Sequence, residues 1–404
     1  MSDREFPGFA VDTVADAVRQ PPLDDLWATA RDRRRRRRAT VLAAMAVIVV
    51  VASAAIPLGG GPGRFEFAAP RPTDAPFGRT ASDLVVLSDV AAVVVEVAEH
   101  GCKISFAATG DGGRQWSPWR SVRPGTGCTT TADTGYTVLS HRSYLVRFGD
   151  ESLLSTDAGQ TWQDAASAVT AVTAFPPRTR PVSCQTDCRP MQRPMAVDPA
   201  SGRVYRLSGE APSPFAPTSI HPTPDGALWV VYPGGGFTRP DLIARSIDRG
   251  ATWQTSHAPE ATVTIGVAAV DGKEAYLLTE PLRAGADSPP AEGTAGLRHT
   301  TDGGKSWVDV PTDLRSNNVI RPIVVGSDGS LMVVDFRDSI AELLISRDGG
   351  RHFGTARRYG HDSVLHAGPG LVWYYESNGQ SLLGTDRIEF TTDGQTWSRF
   401  RLPD

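Results

Sequence analysis

The chain has 404 residues, with 40 glycines, 31 prolines and a formal net charge of −4. Glycine and proline this dense, without a collagen period and beside an ordinary apolar fraction of 40%, describe a folded chain with many turns. The near-neutral balance excludes a nucleic-acid-binding domain, which would carry a basic face, and the length fits one large all-β domain as well as two average ones.

Residues 1–38 read as a short cytoplasmic tail. Val11, Val14 and Val18 fall at helical spacing, and Leu23, Leu26 and Trp27 follow a Pro-Pro break. The segment is too small to fold alone and reads either as a juxtamembrane extension or as a docking peptide. Residues 39–58 are free of charge and dominated by Val, Ala and Ile, long enough for a helix to cross a hydrocarbon core of ~30 Å. Arg33 to Arg38 stand directly before this run, and cytoplasmic flanks carry the arginine excess, so the expected topology is a single-pass membrane protein with its N-terminus inside. A cleaved signal peptide is the competing reading, weakened by an apolar run longer than the usual ~7–15 residue core. Residues 59–80 then form a linker, and residues 81–404 lie outside the cell membrane.

The four cysteines suit that compartment, where disulfides persist. Proximity favours Cys102 with Cys128 and Cys184 with Cys188 among the three possible connectivities. Zinc-finger spacing is absent, so no metal is expected, and no cofactor-binding motif appears.

One pattern then recurs through the outer segment. "ATGDGGRQW" surrounds Asp111, "STDAGQTW" Asp157, "SIDRGATW" Asp248, "TTDGGKSW" Asp302, "SRDGGRHF" Asp348 and the shorter "TTDGQTW" Asp393, five of the six closing on Trp116, Trp162, Trp253, Trp307 and Trp397. The aspartates are spaced by 46, 91, 54, 46 and 45 residues, so one copy is missing in a period of about 45. The eroded copy is expected near residue 202, in "MAVDPASGRVYRL". A second turn signal sits in each period, as in "PDG" at 224–226 and "SDG" at 327–329, with β-rich runs such as "LWVVYP", "SLMVVDF" and "LVWYYES" following. Two hairpin turns per period give four short strands, and a four-stranded sheet that cannot bury both faces alone must pack radially on its neighbours.

The repeated motif Ser/Thr-x-Asp-x-Gly-x-Thr/Ser-Trp resembles the Asp box, or bacterial neuraminidase repeat, of sialidases, sortilin-type receptors and propeller-type photosystem assembly factors. The resemblance implies an all-β, seven-bladed β-propeller, with six blades as the alternative, in which each box is a structural turn between the third and fourth strands of a blade. It names a fold and not an activity. A sialidase would further imply three arginines on the substrate carboxylate, an acid/base Asp, and a Tyr nucleophile paired with Glu. The Phe/Tyr-Arg-Ile-Pro motif of that family is absent, and "VIRPIV" at 319–324 is a poor substitute. The remaining candidates are Tyr374 or Tyr375 with Glu376, although strand alternation sends neighbouring tyrosines to opposite faces.

His361 and His366 read as solvated turn residues. The loop from Glu280 to Gly296 accounts for the long interval, and that from Phe175 to Pro194 reads as a surface insertion or a basic patch. The expected function is a non-catalytic binding or assembly module whose propeller face recognises a protein or glycan. The alternative is a sialidase-like exo-glycoside hydrolase.

Overall fold

The computed structural model describes residues 82–400, apart from the segments 99–101, 126–133, 185–187, 189–190, 235–238, 282–293, 317–322, 338–339, 361–362 and 377–387. These residues form seven four-stranded sheets, at 83–122, 134–164, 170–207, 219–257, 262–310, 323–358 and 363–400. They are blades 1 to 7 of an all-β propeller. Six blades are plain antiparallel meanders in chain order. Their first strands line the axis, since those of blades 4, 5, 6 and 7 touch one another in succession.

The sequence builds these blades because the second strand of each is covered on both faces. Leu228–Tyr232 is buried at every position, as are Leu331 to Val334 and Leu371 to Tyr375. Such strands read as continuous apolar runs and not as alternating ones. The apolar layers between blades follow the ring. Val95, Phe106 and Val146 join blades 1 and 2, Trp229 and Leu277 join blades 4 and 5, and Leu84, Val94, Trp373 and Phe400 join blades 7 and 1.

Blade 3 departs from the pattern, and two expectations are corrected there. Its strand order places Arg180–Pro181 beside Met195–Val197, then Val204–Leu207, then Thr170–Val172, the last pairing in parallel. The edge strand is therefore supplied by chain that precedes the blade. It follows the short helix Ala165–Ala168, capped by Asp164 accepting from the Ser167 N–H at 3.2 Å. The turn at 198–203 is consequently no eroded box. It connects Met195–Val197 to Val204–Leu207, and no fourth strand follows it before the chain enters blade 4 at Ser219.

The segment from Phe175 to Pro194 is likewise no mere surface insertion. Phe175, Val182, Cys184, Cys188 and Met191 are buried in the core around blade 3. Cys184 bridges Ile220 of blade 4, with N–H···O distances of 3.0 and 2.7 Å. Its disulfide to Cys188 closes the small loop between them, as proximity foretold. Apolar side chains drive the segment inward, and the backbone bridge satisfies the polar groups that accompany them. Cys102 is also disulfide-bonded, while its expected partner Cys128 lies outside the described residues.

The expected tail, membrane span and linker at 1–38, 39–58 and 59–80 lie outside the described residues, as do His361 and the Glu376 side chain. Among the described residues, no helix is long and apolar enough to cross a membrane. His366 is not a turn residue: it lies within the strand Ser363–Gly368, half-buried and stacked between Trp373 and Tyr375.

Candidate functional site

The six boxes fold alike, each between the third and fourth strands of its blade. The Ser or Thr two residues before the aspartate donates its hydroxyl to the carboxylate and accepts a backbone N–H from a box glycine. In blade 4, Ser246 Oγ donates to Asp248 at 2.8 Å and accepts from Gly250 at 2.8 Å. The carboxylate then spans the turn, accepting the Thr252 N–H at 2.9 Å and the Thr252 hydroxyl at 2.5 Å. Asp157 and Asp302 repeat this with Thr161 and Ser306. Asp111 accepts the N–H groups of Arg114 and Gln115, and Asp348 uses the N–H and ring of His352.

Donors aimed at an anion favour its charged form. The Ser306 hydroxyl, followed by its N–H, holds Asp302 well below the usual carboxylate range, and the N–H groups of Thr396 and Gln395 bring Asp393 down to about 2. These carboxylates are fully engaged in building turns.

Each box aromatic then packs toward the preceding blade. Trp162 joins the layer shared with blade 1, Trp307 that with blade 4, Phe353 that with blade 5 and Trp397 that with blade 6. Trp253 packs on blade 3, and Trp116 packs on blade 7, closing the ring. The boxes are scaffold: hydrogen bonds shape the turn and the aromatic fastens it to a neighbour.

The two candidate tyrosines part as alternation requires. Tyr374 enters the layer between blades 6 and 7, against Tyr359 at a centroid distance of 4.4 Å. Tyr375 enters the layer between blades 7 and 1, where its hydroxyl donates to Asp83 at 2.9 Å. Asp83 also accepts from Tyr136 of blade 2 at 2.6 Å, and His366 Nε2 lies 3.0 Å from the Tyr375 hydroxyl. Burial, reinforced by the Asp83 carboxylate, pushes both tyrosine hydroxyls far above their ordinary range. Burial lowers His366, which Asp83 only partly offsets. Asp83 thus ties three blades together, a role that nothing in its sequence neighbourhood announced.

A recess opens on the axis at the side where the first and second strands connect. That is the side of the boxes, since Gly112, Ala158 and Gly303 of three boxes donate to Val90, Arg142 and Lys273 in first-to-second-strand turns. One half of the recess is a cavity of 670 Å³ walled by blades 3 to 7, and the other a cavity of 310 Å³ reaching blades 1 and 2. They share Arg180, Pro181, Pro222 and Pro369.

His221, 3% exposed, sits in the wall; its Nε2–H donates to the Ala269 carbonyl at 3.2 Å, and burial brings it down to about 4, so it is neutral. Asp225 is the carboxylate among the lining residues. One oxygen takes the Thr223 hydroxyl and the Ala227 N–H, the other the Gly272 N–H at 2.9 Å. The lining arginines are Arg180 and Arg249, and Arg249 donates to the Pro176 carbonyl at 3.3 Å. Neither Tyr374 nor Tyr375 lines either cavity. Sequence reading reached Arg180 only as part of the Phe175 to Pro194 segment, read as a surface insertion or a basic patch, and did not single it out from the other arginines there.

No protein-family profile matches the chain, and no curated protein matches its sequence. Solved structures similar to it are propellers and related proteins. The YCF48 protein bound to D1 peptide is 14% identical at a TM-score of 0.31, over 80% of this chain and 83% of that one. The β-propeller domain of the Trilobed protease from Pyrococcus furiosus is 11% identical at a TM-score of 0.43, over 81% and 97%. The Trypanosoma rangeli sialidase is 13% identical at a TM-score of 0.37, over 78% and 54%. At such identities the likeness is one of fold alone.

Proposed function

We propose that the protein is a membrane-anchored, extracytoplasmic propeller that binds a protein or glycan without transforming it, and that its repeated turns are Asp boxes of the neuraminidase-repeat type. The observation supporting a non-catalytic role is the state of the carboxylate in the axial recess. Hydrolysis of a glycoside needs an acid and a base, or an acid and a nucleophile, poised across the bond. Asp225 has both oxygens occupied by turn donors, and the candidate tyrosines sit in two different interblade layers.

The purified full chain is expected to leave a fluorogenic sialoside intact. Turnover abolished by Glu376→Gln would establish the glycosidase instead. The anchor rests on residues 39–58 and the arginines before them. The protein is expected to stay in the membrane pellet under alkaline carbonate, with the propeller digested by protease added outside the cells. Release by carbonate would refute the anchor.

A further inference from the structure

The rim of the axial recess is asymmetric. On the side of blades 2 and 3 it is cationic. Arg180 is exposed and lines both halves of the cavity, and its side chain makes no hydrogen bond or ion pair among the described residues. Arg142 and Arg180 both lie near enough to His141 to lower it, after burial, the larger cause. On the side of blades 4 and 5 the rim carries exposed apolar side chains beside Asp225, Asp271 and Lys273. Ile247 is 65% exposed and Val270 39%, and Pro224, also exposed, lines the cavity with Val270. Ile247 and the turn at Gly272 are in direct contact, with Ile247 Cγ2 3.0 Å from the position a Cβ would take there, so this is one continuous surface.

Most acids beside the rim are committed: Asp225 to its turn, Asp271 to the N–H groups of Lys273 and Glu274, Asp198 to Ser201 and Ala200, and Asp328 to Ser330 and to Arg347 at 3.7 Å, while Asp89 stands exposed on the blade 1 turn between Ser88 and Ala91. In the half walled by blades 3 to 7 the unpaired charge is therefore positive, at Arg180, and it suits an anionic ligand.

We infer that this opening captures an extended acidic peptide, with a side-chain carboxylate on Arg180 and apolar side chains on Ile247, Val270 and Pro224. The inference rests on the binding-module reading and names its site and ligand class. Saccharide is disfavoured because sugars stack on exposed aromatic faces. The aromatics here, Phe175 and Trp373, are 2% and 6% exposed and offer none. The wall is instead proline, at 181, 222 and 369, an apolar surface with no N–H to satisfy. A lipid surface is disfavoured because Arg180 belongs to both halves of a recess that a flat bilayer does not enter. An extended peptide advances about 3.3 Å per residue, so a few residues cross an opening of this size.

The test uses the full chain in detergent against an array of decapeptides carrying zero to four glutamates on a leucine, proline and serine background. Glutamine counterparts and phosphatidylglycerol vesicles serve as controls. Binding is expected to rise with glutamate content and to fall roughly tenfold or more on Glu-to-Gln replacement, the scale of one charged hydrogen bond. Arg180→Gln is expected to abolish the glutamate dependence with unfolding unchanged, and Ile247→Ser to weaken every peptide several-fold. Equal affinity for glutamate and glutamine peptides, binding undiminished in Arg180→Gln, absence of any peptide binding, or capture of vesicles in place of peptides overturns the inference. Peptide or glycan binding that ignores Arg180 overturns this site alone and leaves the binding module standing; sialoside hydrolysis defeats the module itself.

Discussion

Trp373 donates its indole N–H to the carbonyl of Leu84 at 3.0 Å, across 289 residues of sequence. Among the described residues, every strand of blade 1 comes from the N-terminal side and every strand of blade 7 from the C-terminal side, and no sheet is shared between the two ends. Closure depends on side chains: this bond, the Tyr375 bond to Asp83, and the layer around Leu84, Val94 and Phe400. Trp373→Phe leaves the buried Leu84 carbonyl without its donor and is expected to cost about 1 kcal/mol. Trp373→Ala also opens a cavity and should cost about 3–5 kcal/mol. Urea unfolding followed by tryptophan fluorescence checks both. If Trp373→Ala unfolds like the parent, closure lies elsewhere.

The boxes give the fold an acid limit. Hydrogen bonds depress the folded-state value of the box carboxylates below the unfolded value, with Asp393 at about 2 and Asp302 and Asp348 lower still. A depressed carboxylate contributes stability that is complete above the unfolded value of about 4 and fades as pH falls toward the folded value. Thermal unfolding is therefore expected to be flat in this respect between pH 5 and 7 and to drop below pH 4. A variant with Asp302, Asp348 and Asp393 changed to Asn should start less stable and lose less on acidification. A parallel decline in both proteins would remove the boxes from the cause.

Two glycines share a left-handed backbone but not the same surroundings. Gly226 has φ +88° with open space where a Cβ would stand, whereas Gly394 has φ +69° and its Cβ would fall within the Ile345 side chain. Gly226→Ala should cost only the backbone penalty of about 1–2 kcal/mol. Gly394→Ala adds overpacking against blade 6, for a total of roughly 3 kcal/mol or more. Equal costs in chemical denaturation would mean that the box turn is free to move off Ile345.

Arg357 reaches from blade 6 into blade 7. Its guanidinium lies 4.8 Å from the Trp397 ring centroid and 5.2 Å from that of Tyr359, and it meets the buried carboxylate of Glu389 at 2.6 Å. Arg399 holds the other oxygen of Glu389 at 3.0 Å. Arg357→Met is expected to destabilise by about 2 kcal/mol, short of the full cost of a broken buried pair because the arginine is partly exposed and Arg399 remains. A double-mutant cycle with Glu389→Gln should show coupling of about 1 kcal/mol. Additive effects would reduce Arg357 to apolar packing.

The boxes were legible because all their chemistry lies within eight residues. A hydroxyl, an aspartate, a glycine and an aromatic specify one turn, and six repeats at a fixed spacing specify seven blades. The second strands were legible because burial on both faces forces uninterrupted apolar runs. Tyr374 and Tyr375 could be assigned to opposite faces, though not to particular layers. Blade 3 was illegible for the complementary reason. Its parallel edge strand Thr170–Val172 and the burial of Val182, Cys184 and Met191 depend on neighbours that no local pattern encodes.

The sequence by itself determined the turns, their number and the radial packing they require, since those are consequences of short-range hydrogen bonding and apolar periodicity. Only the tertiary structure decided how the ring closes at Trp373 and Leu84, which carboxylates are consumed, and that Arg180 stands unpaired at the axis. Each of these is a meeting of groups from different blades, fixed by the packing of the whole ring.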